Sequence, residues 1–331
     1  MTRLAGQVRT LTRRVRGAVA TGSRYQLLST VPILERPLRR LEAHPVAHGL
    51  LLSTIGLRHP LFVDHPVRPE ARFGYGRPLH PELQALLEQG RSRYARHLQA
   101  LLGFADRFAT VPRDGDPDGQ TPYWRSGWLP PPDAAALYGF VTRVNPGRYV
   151  EVGSGSSTKF VRRAIDDHGL RTQVTSIDPA PRASVDRLCD QVVRAPLQHA
   201  DLEVFTKLDA GDVVFFDGSH RVFPGSDVAV FFLEILPRLA PGVLVHVHDI
   251  LLPRDYPEDM RARYYSEQYL LAAYLLAGTT LFEVELPNAF AGDDPELRGI
   301  LAPLWRALGL PQEHAASSFW LRMRERAPAA P

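Results

Sequence analysis

The sequence predicts an α/β protein with a doubly wound parallel sheet that ends in an antiparallel pair of strands. From residue 148 onward, short apolar runs alternate with helical patterns, as in parallel sheets covered by helices on both faces. The last two runs follow a long helical stretch, 265–277, and form a closing pair. The predicted strands are 148–152, 173–177, 191–194, 212–216, 243–248, 280–286 and 317–323.

The first strand is followed by a glycine-rich turn and a helix. Residues 150–158 read V-E-V-G-S-G-S-S-T, in which valines alternate with Glu151 as in a buried strand. Apolar residues then recur at helical spacing over 160–165, and Gly169 supplies a stop signal. Strand, glycine turn and helix in this order are typical of a nucleotide-binding site, because a helix N-terminus offers free N–H groups.

The turn itself is G-S-G-S-S-T. Gly153 and Gly155 let a ligand approach the backbone closely, with Ser154 between them. Asp178 ends the next strand, some twenty residues on, where an acid of such folds accepts the ribose hydroxyls. The dinucleotide fingerprint requires a third glycine where Thr158 stands, which disfavours NAD. The alternative role of Asp178 is a strand-end turn before a proline.

Two further strands end in acids and imidazoles. D-V-V-F-F-D-G-S-H places Asp217 and His220 after one strand, and V-H-V-H-D-I places His248 and Asp249 after its neighbour. Ligands of open α/β sheets bind outside the carboxyl ends of the strands, so we expect these four side chains to share a cleft. His246 shares the strand face of His248 and is expected to lie buried beneath it.

These motifs, with P-G-V-L-V-H-V-H-D-I and the terminal S-S-F-W-L-R, resemble the class I S-adenosylmethionine-dependent methyltransferases, of the bacterial type with D-G-S-H and H-D-I at the strand ends. The resemblance covers residues 133–323. It implies a Rossmann-like seven-stranded sheet, with Glu151 near the methionine end of the cofactor and Asp178 at its ribose. Ser157 replaces the third glycine usual in that family. The implied S-adenosylmethionine-binding residues are Glu151, Gly153, Ser154, Gly155, Asp178 and Asp217.

The strand-end cluster allows two mechanisms. In the macrocin-type O-methyltransferases, which this arrangement resembles, acids at these strand ends bind magnesium, which implies a divalent-cation site at Asp217, His248 and Asp249. A histidine ligand suits a softer ion than magnesium. The second mechanism, which the sequence slightly favours, uses His248 or His220 as a general base, with Asp217 beside it. The alternative is a purely structural role for these side chains.

The chain before residue 121 is predicted to be a mainly helical extension, and 121–331 the cofactor-binding domain, separated by the turn-rich stretch 113–122. Residues 1–40 hold nine arginines and one acid, Glu35. Within them, 4–18 has the spacing of a basic amphipathic helix. Docking of this helix on its own protein is the favoured interpretation, and a helical dimer seam or membrane-surface contact through residues 1–20 are the alternatives. The extension as a whole is expected to shape substrate access or to form a homodimer.

Three smaller features complete the pattern. Asp133 is expected to cap the helix that opens after Pro130–Pro132. Tyr123, Trp124 and Trp128 are expected either to cover the cofactor or to anchor a linker. The aromatic helix start Tyr264–Tyr269 is expected to line a substrate pocket or to pack in the core.

The composition limits the functional classes. The chain of 331 residues is 44% apolar and 23% charged, as in globular proteins, and the single cysteine, Cys189, is typical of a reducing cytoplasm. No nucleic-acid motif occurs, and no secretory signal is recognisable. The expected acceptor is a hydroxyl of a small molecule or of a sugar, or a peptide carboxylate. An NAD-dependent oxidoreductase and a non-catalytic partner protein with this fold remain the alternatives.

Overall fold

The computed structural model describes residues 69–181, 183–312 and 315–325. Their centre is one seven-stranded sheet of order β3-β2-β1-β4-β5-β7-β6. All neighbouring pairs are parallel except those of β7, which runs antiparallel to both β5 and β6. This confirms the predicted doubly wound sheet with an antiparallel closing pair. The strands are β1 Arg148–Val152, β2 Gln173–Ile177, β3 Gln191–Val193, β4 Val213–Phe216, β5 Leu244–Val247, β6 Phe282–Pro287 and β7 Phe319–Met323.

Helices flank the sheet and, together with loop residues such as Trp124 and Ile250, supply the rest of the described core. The central strands are buried along their whole length, which explains their unbroken apolar runs: both faces of a parallel strand are covered. The helices are α1 Pro81–Glu88, α2 Arg91–Leu101, α3 Ala105–Ala109, α4 Pro131–Val144, α5 Ser156–His168, α6 Glu203–Thr206, α7 Asp227–Val230, α8 Glu258–Ala262, α9 Glu267–Leu276, α10 Asn288–Asp293 and α11 Pro295–Leu308.

The register of the central strands positions the site. Val152, the last residue of β1, pairs with Ile177 on one side and with Phe216 on the other. Phe216 in turn pairs with Val247, the last residue of β5. Because β1, β2, β4 and β5 end level with one another, the residues that follow them all emerge at one edge of the sheet.

Asp133 does not cap α4, contrary to the prediction. The helix begins after Pro130, and Asp133 lies inside its first turn, fully buried. Its carboxylate accepts hydrogen bonds from the backbone N–H groups of Ser317 at 2.8 Å and Ser318 at 3.1 Å, and from Asn288 Nδ2 at 2.9 Å. The acid therefore fastens the segment entering β7 to α4, a long-range role that local spacing does not reveal.

The compact unit that contains the sheet begins at Pro69, whereas the sequence places the domain boundary after residue 120. The reason is that α1 and α2 bury leucines such as Leu87 and Leu98 in the same hydrophobic core as the sheet. The predicted amphipathic helix at 4–18 lies outside the described residues. None of the helices in the described part of the chain has the length and apolar character needed to cross a bilayer.

Candidate active site

The glycine turn after β1 is built by close contact with the end of β4. Gly153 has φ 81°, a left-handed conformation that favours glycine. A Cβ at this position would lie 2.0 Å from the carbonyl oxygen of Asp217. The turn and the Asp217 backbone can therefore approach this closely only because residue 153 has no side chain.

Thr158 closes the turn from below. Its Oγ1 accepts a hydrogen bond from the Gly155 N–H at 3.1 Å and donates one to Glu151 Oε2 at 2.5 Å. Tyr149 donates to the other oxygen of Glu151 at 3.2 Å. The hydroxyl thus explains why a threonine, and not a third glycine, occupies this position. Sequence reasoning treated Thr158 only as a departure from a fingerprint.

Glu151 is wholly buried and faces these loop partners. Burial raises the pKa of its carboxyl to about 8, against the opposing effect of the hydrogen bonds from Ser157, Thr158 and Tyr149. The structure therefore gives Glu151 an internal role in holding the turn. Its contact with the methionine end of a cofactor stays a prediction.

Asp178 lies at the end of β2, partly buried beside the turn. Its carboxylate accepts hydrogen bonds from the backbone N–H of Ser154 at 2.8 Å and of Ala180 at 2.7 Å, one on each oxygen. The Ser154 hydroxyl is paired with that of Ser176. Each carboxylate oxygen of Asp178 retains a further lone pair, so the geometry allows the turn-forming role and a ribose role together.

A cleft that opens to solvent lies at this edge of the sheet. Its floor is the turn from Ser154 to Ser157, and Asp217 and Phe215 form the β4 side. The opposite wall comes from the segment that precedes α4. The lining residues are Pro117, Tyr123, Trp128, Leu129, Ser154, Gly155, Ser156, Ser157, Ala183, Phe215 and Asp217.

The aromatic residues of the crossing segment divide between two roles. Tyr123 and Trp128 line the cleft, and Trp128 is 59% exposed. Trp124 is buried, and its ring packs against that of Phe160 with 5.4 Å between the ring centroids, so it anchors the segment. Lys159 adds a second anchor, which the sequence did not indicate: its Nζ donates to the carbonyl of Pro117 at 2.8 Å.

The acid–imidazole cluster comprises Asp217, His220, His248, Asp249 and Glu267. Four of these were predicted to meet, and the structure brings them together. His220 Nε2 lies 3.2 Å from Asp217 Oδ1 and 3.5 Å from Asp249 Oδ2. His220 and Asp249 have φ 63° and 55°, which is uncommon for residues with a side chain. Backbone of this kind is found preferentially at functional sites.

Glu267 is the member that sequence reasoning missed. It opens α9 fully buried, and its Oε1 pairs with His220 Nδ1. The ring of Tyr265 stacks on His220 at 4.5 Å between centroids. The only sequence signal near Glu267 was the aromatic stretch Tyr264–Tyr269, which was expected to line a substrate pocket or to pack in the core. An acid in the first turn of a helix is otherwise an ordinary stabilising charge.

His248 is buried at the end of β5, and its two ring nitrogens have different surroundings. Nδ1 lies 3.2 Å from Asp249 Oδ1 and 3.4 Å from the hydroxyl of Ser317. Nε2 is buried without a hydrogen-bond partner among the described residues. His246, two residues before His248 on β5, is fully buried, as expected. Its ring stacks on that of Phe215 with 4.0 Å between the ring centroids.

The charges of the cluster support one another. Burial alone favours neutral groups, yet Asp217 and Asp249 outweigh it and raise the pKa of His248 to about 9. Conversely, burial would raise the pKa of Asp217, but His248 and His220 hold it below its ordinary value. Burial raises the pKa of Glu267 to about 7 despite His220 beside it. The cluster is therefore a compact network of opposite charges.

Comparison with known proteins adds to this geometry. The family model described as a methyltransferase domain matches residues 150–250, which hold the glycine turn, Asp178 and four members of the cluster. These residues form a methyltransferase domain. No curated protein sequence matches the chain.

Several solved structures resemble the methyltransferase domain and its surroundings at low identity. The SAH-bound methyltransferase PaMTH1 of Podospora anserina is 12% identical, with a TM-score of 0.37, over 68% of this chain and 88% of that one. The O-methyltransferase TomG of Streptomyces achromogenes, in complex with SAM, is 15% identical, with a TM-score of 0.36, over 74% and 98%. An O-methyltransferase from Bacillus cereus, in complex with SAH, is 14% identical, with a TM-score of 0.36, over 70% and 91%.

The predicted metal site at the edge of this methyltransferase domain does not match the observed contacts. A cation bound by Asp217, His248 and Asp249 needs their donor atoms to converge on one point. Instead, His248 Nδ1 faces Asp249, and the two carboxylates face His220 Nε2. Across residues 69–181, 183–312 and 315–325, no group of three or more His, Cys, Asp or Glu side chains is arranged to hold a metal ion.

Proposed function

We propose that this protein transfers a methyl group from S-adenosylmethionine to an oxygen atom of a small-molecule, sugar or peptide-derived acceptor. The observation that carries the proposal is the Nε2 of His248, which is buried without a hydrogen-bond partner among the described residues. Asp249 and Ser317 fix the orientation of the ring through Nδ1. A buried nitrogen held in this way, at the edge of the sheet where the cleft lies, is suited to bind the acceptor oxygen and its proton.

We place the cofactor on the β1 side of the edge. The cleft between the Ser154–Ser157 turn and Tyr123 is lined by the glycine turn, and Asp178 borders the turn with lone pairs that suit ribose hydroxyls. Bound there, S-adenosylmethionine supplies an electrophilic methyl group on a sulfonium. Asp217 lines the cleft and also touches the cluster, so it links the cofactor to the acceptor side.

The proton of the acceptor is the main chemical problem for His248. With a pKa of about 9, its imidazole holds a proton at neutral pH. The raised pKa depends partly on the negative charge of Asp217. The sulfonium of S-adenosylmethionine, bound beside Asp217, would offset that charge and lower the pKa of His248, which would prepare Nε2 to accept the proton as the methyl group leaves. Precise orientation of the acceptor supplies much of the remaining acceleration.

Cofactor identity is tested by calorimetric titration of the purified protein with S-adenosylhomocysteine and, separately, with NAD. We expect binding of S-adenosylhomocysteine and none of NAD. Binding of NAD alone would support an oxidoreductase, and binding of neither would support a non-catalytic partner protein.

The role of His248 is tested by release of S-adenosylhomocysteine in the presence of panels of hydroxyl and carboxylate acceptors. His248→Ala should lower the rate on a hydroxyl acceptor by about 10²-fold or more, the usual contribution of a general base. His246→Leu, which changes a core imidazole outside the cluster, is the matched control. Full activity of His248→Ala would indicate a carboxylate acceptor, which needs no base.

A further inference from the structure

His220 lies between the two acids that follow β4 and β5. Its Nε2 is 3.2 Å from Asp217 Oδ1 and 3.5 Å from Asp249 Oδ2. These separations are those of hydrogen-bonded or ion-paired groups, longer than the ~2.0–2.6 Å of oxygen bound to magnesium or calcium. The space where two strand-end carboxylates would share a cation is thus taken by an imidazole nitrogen.

The second nitrogen of the ring is also directed at an acid. Nδ1 pairs with Glu267 Oε1, and Glu267 is fully buried. A neutral imidazole has one N–H donor and one acceptor nitrogen, whereas an ionised carboxylate only accepts. With Asp217, Asp249 and Glu267 ionised, these contacts are all satisfied only when both ring nitrogens carry hydrogen. In that state His220 is an imidazolium.

The surroundings hold this ring in place. Tyr265 stacks on it at 4.5 Å between centroids, and the backbone N–H of Ser266 donates to the carbonyl of His220 at 2.8 Å. His220 is 6% exposed, so little solvent competes for its contacts. A cation added beside a fixed imidazolium would be repelled by its positive charge.

We propose that the His220 imidazolium takes the place of a divalent cation between Asp217 and Asp249, so that the protein binds no metal ion there. The positive charge is supplied by the fold, through the Glu267 contact at the start of α9. The consequence for catalysis rests on the function proposed above: methyl transfer needs no added metal. The binding claim itself is independent of that function.

The test is a titration of the cofactor-free protein with Mn²⁺. Binding is monitored by calorimetry and by electron paramagnetic resonance. The wild-type protein should show no Mn²⁺ site at the cluster. His220→Asn removes the positive charge, and asparagine tolerates the left-handed backbone at this position. This variant should gain one Mn²⁺ site with a Kd below about 1 mM, the weak end of protein cation sites.

Two control variants identify the new site. His220→Lys keeps a positive charge and should bind no Mn²⁺, and His220→Asn combined with Asp249→Asn should lose the site gained by the single change. Circular dichroism establishes that each variant is folded. Should His220→Asn fail to fold, Mn²⁺ binding by the wild-type protein is compared with Mn²⁺ binding by Asp249→Asn. This comparison still shows whether the wild-type cluster holds a metal ion.

Two results would overturn the inference. One is a wild-type Mn²⁺ site that disappears in Asp249→Asn, since the imidazolium would then not occupy the position. The other is a folded His220→Asn that binds no Mn²⁺. Neither result depends on methyl transfer, whereas failure to bind S-adenosylhomocysteine would overturn the proposed function and leave this inference standing.

Discussion

The two halves of the sheet edge satisfy their polar groups in different ways. On the β1 side, the turn from Gly153 to Thr158 is closed by backbone N–H groups, a hydroxyl and two acids that lie within one strand–turn–helix unit and the next strand. On the β5 side, acids and imidazoles from three separate segments satisfy one another. The first side is a local motif, and the second is a product of tertiary packing.

This difference explains what a change in each half should do. A tight local turn is destabilised sterically, by a side chain that does not fit. A buried charge network is destabilised electrostatically, when the removal of one group leaves its partner buried without a counter-charge.

The largest expected effect is that of Gly153→Ala. The new Cβ would meet the Asp217 carbonyl oxygen, which belongs to the backbone and cannot move aside easily. We expect a loss of about 4 kcal/mol or more in the free energy of unfolding, measured by urea denaturation. Gly155→Ala is the matched control, because its φ is 169° and no atom lies within 4 Å of its Cβ position. Equal stability of the two variants would show that the close approach is not required.

Next in size is a pH dependence from the cluster. The pKa of His248 is raised from its ordinary 6.5 to about 9, so its contribution to stability is complete below pH 6.5 and is lost as the pH rises through 9. This shift corresponds to roughly 3 kcal/mol. Urea denaturation between pH 6.5 and 9.5 should show stability falling in the wild type, and less steeply in His248→Ala. Parallel curves for the two proteins would contradict the network.

A smaller effect is expected for Asp178→Ala on cofactor affinity. Loss of the charged acceptor should weaken S-adenosylhomocysteine binding by at least about tenfold, the cost of a hydrogen bond to a charged group. Asp186→Ala is the control, because Asp186 is 58% exposed and pairs with Arg194. Calorimetric titration checks both. Unchanged affinity in Asp178→Ala would assign this acid to the turn alone.

The smallest effect is that of Thr158→Val, which keeps the shape but removes the hydroxyl between Gly155 and Glu151. We expect a loss of about 1–2 kcal/mol in unfolding free energy, because the partly buried Gly155 N–H and a buried carboxyl oxygen of Glu151 lose their partner. Thr158→Ser, which retains the hydroxyl, should lose less. Thermal unfolding of both variants distinguishes the hydroxyl from simple packing.

Much of the fold was predictable because strands and turns carry local signals. The predicted strands 148–152 and 173–177 coincide with β1 and β2, and Gly169 ends α5 in the left-handed conformation. Asp217, His220, His248 and Asp249 were expected together because parallel strands that end level bring their following residues to one edge. Glu267 and Asp133 carried no such signal, since each reaches partners far along the chain.

By itself, the sequence determined the order of strands and helices, the closing pair and the identity of the groups at the sheet edge. These follow from hydrophobic periodicity and from chain direction, which act over a few residues. The tertiary structure alone decided which acid meets which imidazole, because that depends on where α9 and β7 pack. Hence only the structure shows His220 held between three carboxylates and His248 Nε2 buried without a hydrogen-bond partner among the described residues.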